Sequence, residues 1–123
     1  MLPTLYYQRY QKFWGLLEQM ELSAAANQLD AQKLRQSFLT LQQFFQQQIL
    51  NLESSDLDSS DASLVRSYQT EISKQLNLLG VDVMFFQAAR QPQTAQTRLM
   101  QIKQRLQTLK SYCTTIMGSS PAQ

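Results

Sequence analysis

Residues 64–90, LVRSYQTEISKQLNLLGVDVMFFQAAR, read as one long helix of roughly 40 Å at 1.5 Å per residue. From Leu76 to Ala89, ten of fourteen residues are apolar, so the second half of this helix is apolar nearly all round. A helix of that kind must be covered on several sides. The remaining segments are narrower and more amphipathic, as covers should be.

The first cover starts near Pro3, a residue suited to a first helical turn. Tyr6, Tyr10, Phe13, Leu17 and Met20 recur at spacings of 4, 3, 4 and 3 and form a core stripe. Tyr7 and Trp14, seven apart, lie on a second stripe. Gly15 weakens this helix by about 1 kcal/mol unless another backbone packs close to it. The helix is expected to fade around Leu22. Asp30 is a good N-cap for the second helix, whose stripe is Leu34, Phe38, Leu41, Phe45 and Leu52, with Gln48 at the core edge and Phe44 and Ile49 flanking. This helix is expected to end near Glu53.

The segment ESSDLDSSD, residues 53–61, holds four serines, four acids and one apolar residue, and reads as a linker. Ser60 or Asp61 is expected to cap the long helix. Its main stripe is Leu64, Tyr68, Ile72, Leu76, Leu79, Val83 and Phe86. Leu78, Val81, Met84 and Phe85 add further faces. Gly80 marks a place where a bulky neighbour approaches. Asp82 sits among apolar residues, where a lone carboxylate is costly, so an arginine from another helix is its expected partner. Gln91-Pro92 stops the helix, because a residue before proline avoids the α region. The last helix runs from about Gln93 to Met117, with Gly118 closing it. Leu99, Ile102, Leu106, Leu109, Cys113 and Ile116 form its heptad seam.

Together these segments specify an all-α fold, an antiparallel up-and-down four-helix bundle with long helices, over residues 1–118, with 119–123 as a disordered tail. The 123 residues suffice for one such core. Gly and Pro number three each, which disfavours a turn-rich β fold. The 21 glutamines are interleaved with periodic apolar residues, as on the wet faces of helices.

The chemistry available is narrow. The chain contains no histidine, which removes Ser–His and Cys–His nucleophile pairs, histidine bases and histidine metal sites together. Cys113 stands alone on a core position and reads as a small buried hydrophobe. The three glycines are scattered, so no phosphate loop is present. Asp56, Asp58 and Asp61 have a calcium-like spacing but lack the glycine and glutamate of an EF-hand loop. No enzyme activity, cofactor or metal is expected. The opening MLPTLYYQRYQKF lacks the apolar core of a secretory leader, and no run is long enough to span a membrane. The cytoplasm is the expected address.

Binding surfaces remain. Residues 83–123 hold five cations, Arg90, Arg98, Lys103, Arg105 and Lys110, and no acid. Arg98 and Arg105 flank the seam of the last helix on one side, Lys103 and Lys110 on the other. This edge is either an ordinary solvated face or a meeting place for an acidic partner. Without interleaved aromatics it is a poor nucleic-acid footprint. Tyr7, Trp14, Phe44, Leu78, Val81 and Phe85 exceed what two amphipathic neighbours need. They either fill a tight core or form an apolar interface, with a partner or in a homodimer.

Two blocks, LDAQKLRQSFLTLQQFFQQQI (residues 29–49) and YQTEISKQLNLLGVDVMFFQAARQPQTAQTRL (residues 68–99), resemble the cyanobacterial heterocyst frequency control protein PatD family. The resemblance implies a small cytoplasmic protein that binds the tubulin-like division protein FtsZ and promotes its assembly. In filamentous cyanobacteria it implies an influence on how often cells become heterocysts. It carries no residue-level binding motif. A helical adaptor or assembly factor for another complex, such as photosynthetic machinery, is the alternative.

Overall fold

A computed structural model of the chain describes residues 2–26, 29–53, 55 and 57–118. Every regular element among them is helical: α1 (Thr4–Ala24), α2 (Ala31–Phe44) with a π-helical continuation (Phe45–Ile49), α3 (Ser59–Ala88) and α4 (Pro92–Gly118). The segment 119–123, expected as a disordered tail, lies outside the described residues.

The helices pack in a ring, each against the next and α4 back against α1. Neighbours run antiparallel. Phe13 of α1 meets Phe44 and Phe45 while Arg9 reaches Gln48. Tyr68 of α3 meets Tyr112 of α4 while Asp82 meets Arg98. Trp14 and Glu21 of α1 both meet Lys110 of α4. The core is the inner line of all four helices, and the expected stripe of α1 is buried along its whole length. On α4 the seam from Ile102 to Ile116 is buried, while Leu99 at its start is half-buried.

The helix ends follow their capping chemistry. Asp30 is extended and its Oδ1 accepts from the amides of Gln32 (2.9 Å) and Lys33 (3.3 Å). The cap of α3 is Asp58, not Ser60 or Asp61. Its Oδ1 accepts from the Asp61 amide at 2.8 Å and from the Ser60 hydroxyl at 3.0 Å, so the helix starts at Ser59, earlier than its apolar pattern suggests. These bonds, the Asp61 amide first, hold the Asp58 carboxyl below its ordinary pKa. The α3 backbone turns extended at Ala89 and α4 opens with Pro92, whose missing amide costs nothing there.

Two core positions differ from the simple heptad pattern. The wider π turn closes with the Leu50 amide donating to the Phe45 carbonyl at 2.9 Å. In a wider turn the residue four along, rather than three, returns over Phe45. Ile49 is therefore fully buried and Gln48 stays at the rim. On α3 it is Val65, not Leu64, that is buried at the first turns. Carbonyls at and beyond the end of the π-helical continuation of α2 are met from α1: Arg9 Nη1 donates to the Gln48 carbonyl in its last turn at 2.7 Å, and the Tyr6 hydroxyl donates to the Glu53 carbonyl in the loop that follows. A cation at a helix C-terminus is also favoured by the helix dipole.

The two internal glycines of this bundle have different roles. An added Cβ at Gly80 would lie 2.7 Å from the ring tip of Phe38, so α2 and α3 approach closely only because that side chain is absent. Around Gly15, beyond its chain neighbours and the backbone of its own helix, nothing lies within 4 Å of that position. In the centre of the bundle, the Tyr10 hydroxyl is buried without a hydrogen-bond partner among the described residues, and burial raises its pKa. Gln69 lies close enough to oppose that rise but does not complete a bond of good geometry. Burial likewise pushes the Cys113 thiol up to about 12.

Candidate functional site

The cations of α4 sort by the helix each one faces. Arg98 and Arg105 are seven residues apart and share the edge turned to α3. Asp82, only 1 % exposed, lies between them. Arg98 Nη1 donates to Asp82 Oδ1 at 3.0 Å, and Arg105 Nε donates to Oδ2. Each arginine also reaches an amide oxygen, Gln101 for Arg98 and Gln75 for Arg105, both at 3.3 Å. The two guanidiniums remain a quarter to a third exposed, so they neutralise the carboxylate from its solvent side. A buried carboxylate is tolerable only with such partners.

Lys110 lies on the opposite edge, turned to α1. Its Nζ is 2.8 Å from Glu21 Oε1 and 4.5 Å from the centre of the Trp14 ring. Gln107 Nε2 holds the other oxygen of Glu21 at 2.9 Å. Trp14 and Glu21 are seven residues apart on α1, so one turn of α4 is clamped by both. Arg98, Arg105 and Lys110, three of the five cations in the basic segment, are thus engaged inside the bundle. Arg90 is exposed in the α3–α4 turn and Lys103 is half-buried. Neither forms an ion pair among the described residues.

The surplus apolar residues also divide. Phe44 stacks on Phe13, with centroids 6.2 Å apart and planes 9° apart, and belongs to the flank of the core. Trp14 is half-buried beneath Lys110, and Tyr7 is half-buried. Leu78 (39 % exposed), Val81 (39 %) and Phe85 (48 %) remain on the outer face of α3, joined by Met84 (58 %). Leu78, Val81 and Phe85 are spaced 3 and 4 apart and form one ridge about two turns long. Arg98 lies over the Phe85 ring at 4.6 Å while holding Asp82, so the ridge and the buried ion cluster share a residue.

Met84 completes the patch, and its exposure was not evident from a segment apolar on all sides. Of the calcium-spaced acids, Asp58 serves as a helix cap and Asp56 lies outside the described residues. No group of three or more acidic or cysteine side chains among the described residues is placed to hold a metal ion. Among those residues, no helix is long and apolar enough to cross a membrane. The clefts are open, with polar and apolar lining mixed, such as that between α1 and α2 lined by Leu16, Gln19, Lys33, Gln36 and Thr40. The arrangement is suited to surface contact. No protein-family model, curated protein or solved structure matches the chain.

Proposed function

We propose that this chain is a non-enzymatic binding protein that engages the division protein FtsZ and promotes its assembly, in a cytoplasmic setting. The identity of the partner rests on the resemblance to the PatD family over residues 29–49 and 68–99. The structural observation that supports a binding role is the exposed ridge Leu78, Val81, Met84 and Phe85. It falls within the second of those blocks, and a contiguous exposed apolar patch beside polar residues is a common mark of a protein contact. Where the host forms heterocysts, the same activity links cell division to heterocyst frequency.

FtsZ pelleting with and without the protein tests this reading. More polymer in the pellet, with the protein in it, is expected at low salt. Unchanged polymer and a protein left in the supernatant would remove the partner assignment. Charge reversal at Arg98, Arg105 or Lys110 is a poor probe of the contact, because each holds a carboxylate of the bundle itself. Arg90 and Lys103 are the cations to reverse.

A further inference from the structure

The outer face of α3 changes character halfway along. Its first half presents Ser63, Arg66, Ser67, Thr70 and Lys74, all exposed and polar. Its second half presents Leu78, Val81, Met84 and Phe85, each at least 39 % exposed. Helix formation does not require this change, and the core line on the inner face runs through both halves.

The surroundings of the ridge are cationic. Arg98 stacks on Phe85 from the α4 side. Arg90 is exposed in the turn just beyond the ridge. On the α2 flank, Phe38 packs over Gly80, which in an antiparallel pair sets exposed Arg35 at the level of Met84. The acids nearby are already used. Glu71 is 3.9 Å from Lys74, and Asp82 is buried under two arginines. A second copy of this chain would bring the same cations against these, which disfavours self-pairing here.

We infer that the outer face of α3 from Leu78 to Phe85, with Arg35, Arg90 and Arg98 at its rim, is a docking surface for an acidic amphipathic helical segment of a partner protein. Apolar side chains of that segment, at helical spacing, pack along the ridge with Phe85 as the aromatic anchor. Its carboxylates meet the rim arginines. The inference deepens the binding role proposed above by assigning its surface and the chemistry of its partner.

The test uses a fluorescein-labelled synthetic peptide of about five helical turns, with leucines on one face and glutamates on the other, followed by anisotropy. A peptide with lysines in place of the glutamates is the control. The wild-type chain is expected to bind the glutamate peptide and not the lysine peptide. Val81→Glu and Phe85→Glu each weaken binding at least tenfold with unchanged circular dichroism. Arg90→Glu weakens it several-fold at low salt, and that difference shrinks at high salt. Equal binding of both peptides, or full binding by both Val81→Glu and Phe85→Glu, overturns the inference. So does a wild-type dimer that Phe85→Glu dissociates, since the ridge is then a self-contact. FtsZ pelleting of the same variants separates the two readings. If Phe85→Glu pellets with FtsZ as well as wild type does, this surface falls and the FtsZ reading stands. If wild type ignores FtsZ yet takes the glutamate peptide on α3, the FtsZ reading falls and the surface stands.

Discussion

Gly15→Ala and Gly80→Ala make the same chemical change inside two helices and are expected to move stability in opposite directions. Replacing an interior helical glycine by alanine gains about 0.5–1 kcal/mol, mainly by restricting the unfolded chain. At Gly15 the new methyl meets nothing within 4 Å, so the full gain is expected. At Gly80 it would stand 2.7 Å from Phe38 Cζ, 3.1 Å from Cε2 and 3.4 Å from Cε1. Carbon atoms in contact sit at about 3.5–4.0 Å, so the ring tip must retreat by roughly 1 Å. Phe38 is 8 % exposed, so its ring has little open space to retreat into. Overpacking of this kind costs about 1–3 kcal/mol. The net expectation for Gly80→Ala is a loss of about 1–2 kcal/mol, after subtracting the helical gain. Urea denaturation followed by far-ultraviolet circular dichroism reads both changes directly. Adding Phe38→Leu should remove most of the Gly80→Ala penalty, which a double-mutant cycle detects as coupling of at least about 0.5 kcal/mol. Gly80→Ala as stabilising as Gly15→Ala would refute the reasoning, because the ring would then have free space to move into.

Asp82→Asn keeps the shape but leaves Arg98 and Arg105 without their carboxylate. A loss of about 2–4 kcal/mol in unfolding free energy is expected from urea denaturation, extending below the range for fully buried pairs because both arginines are partly solvated; a change below about 0.5 kcal/mol would mean the cluster is not coupled to folding. Tyr10→Phe removes the orphaned hydroxyl and is expected to stabilise by about 1 kcal/mol, whereas a clear destabilisation would show that the hydroxyl is well bonded in solution. Cys113, buried and with its thiol pushed up to about 12, should react with a thiol reagent at neutral pH only as fast as the bundle opens. Fast labelling in the absence of denaturant would show that the α4 seam opens locally. Asp58→Ala should flatten the acid side of the stability profile. The Asp58 carboxyl is held below its unfolded pKa, so its contribution is present above that value and disappears as pH falls through the lower, folded one.

Much of the bundle was legible in the residues. The 3–4 spacing on α1 and the heptad seam on α4 locate their buried faces because a helix repeats its geometry every turn. Asp82 among apolar residues calls for a cation from another helix, and Gly80 in the most apolar stretch marks a close approach, although Gly15, equally isolated in its helix, marks none. Legibility ended where a pattern has more than one physical solution. Asp58, Ser60 and Asp61 can each cap a helix, and only the reach of a carboxylate to a particular amide separates them. Ile49 moves from the flank of the stripe into the core because one turn widens, while Gln48 keeps its place at the core edge, and no local periodicity signals that.

The candidate site was less legible than the core. The five cations of residues 83–123 look alike in sequence, yet Arg98 and Arg105 serve Asp82 while Lys110 serves Glu21 and Trp14. Long-range pairs depend on where neighbouring helices lie, and charge counting carries no such information. The same holds for Leu78, Val81, Met84 and Phe85. The sequence by itself determined that α3 is apolar on nearly all sides and needs covers. Only the tertiary structure decided which side remains open, because two flanking helices and a ring closed by α1 cover the inner arc of α3 and leave the outer arc to solvent.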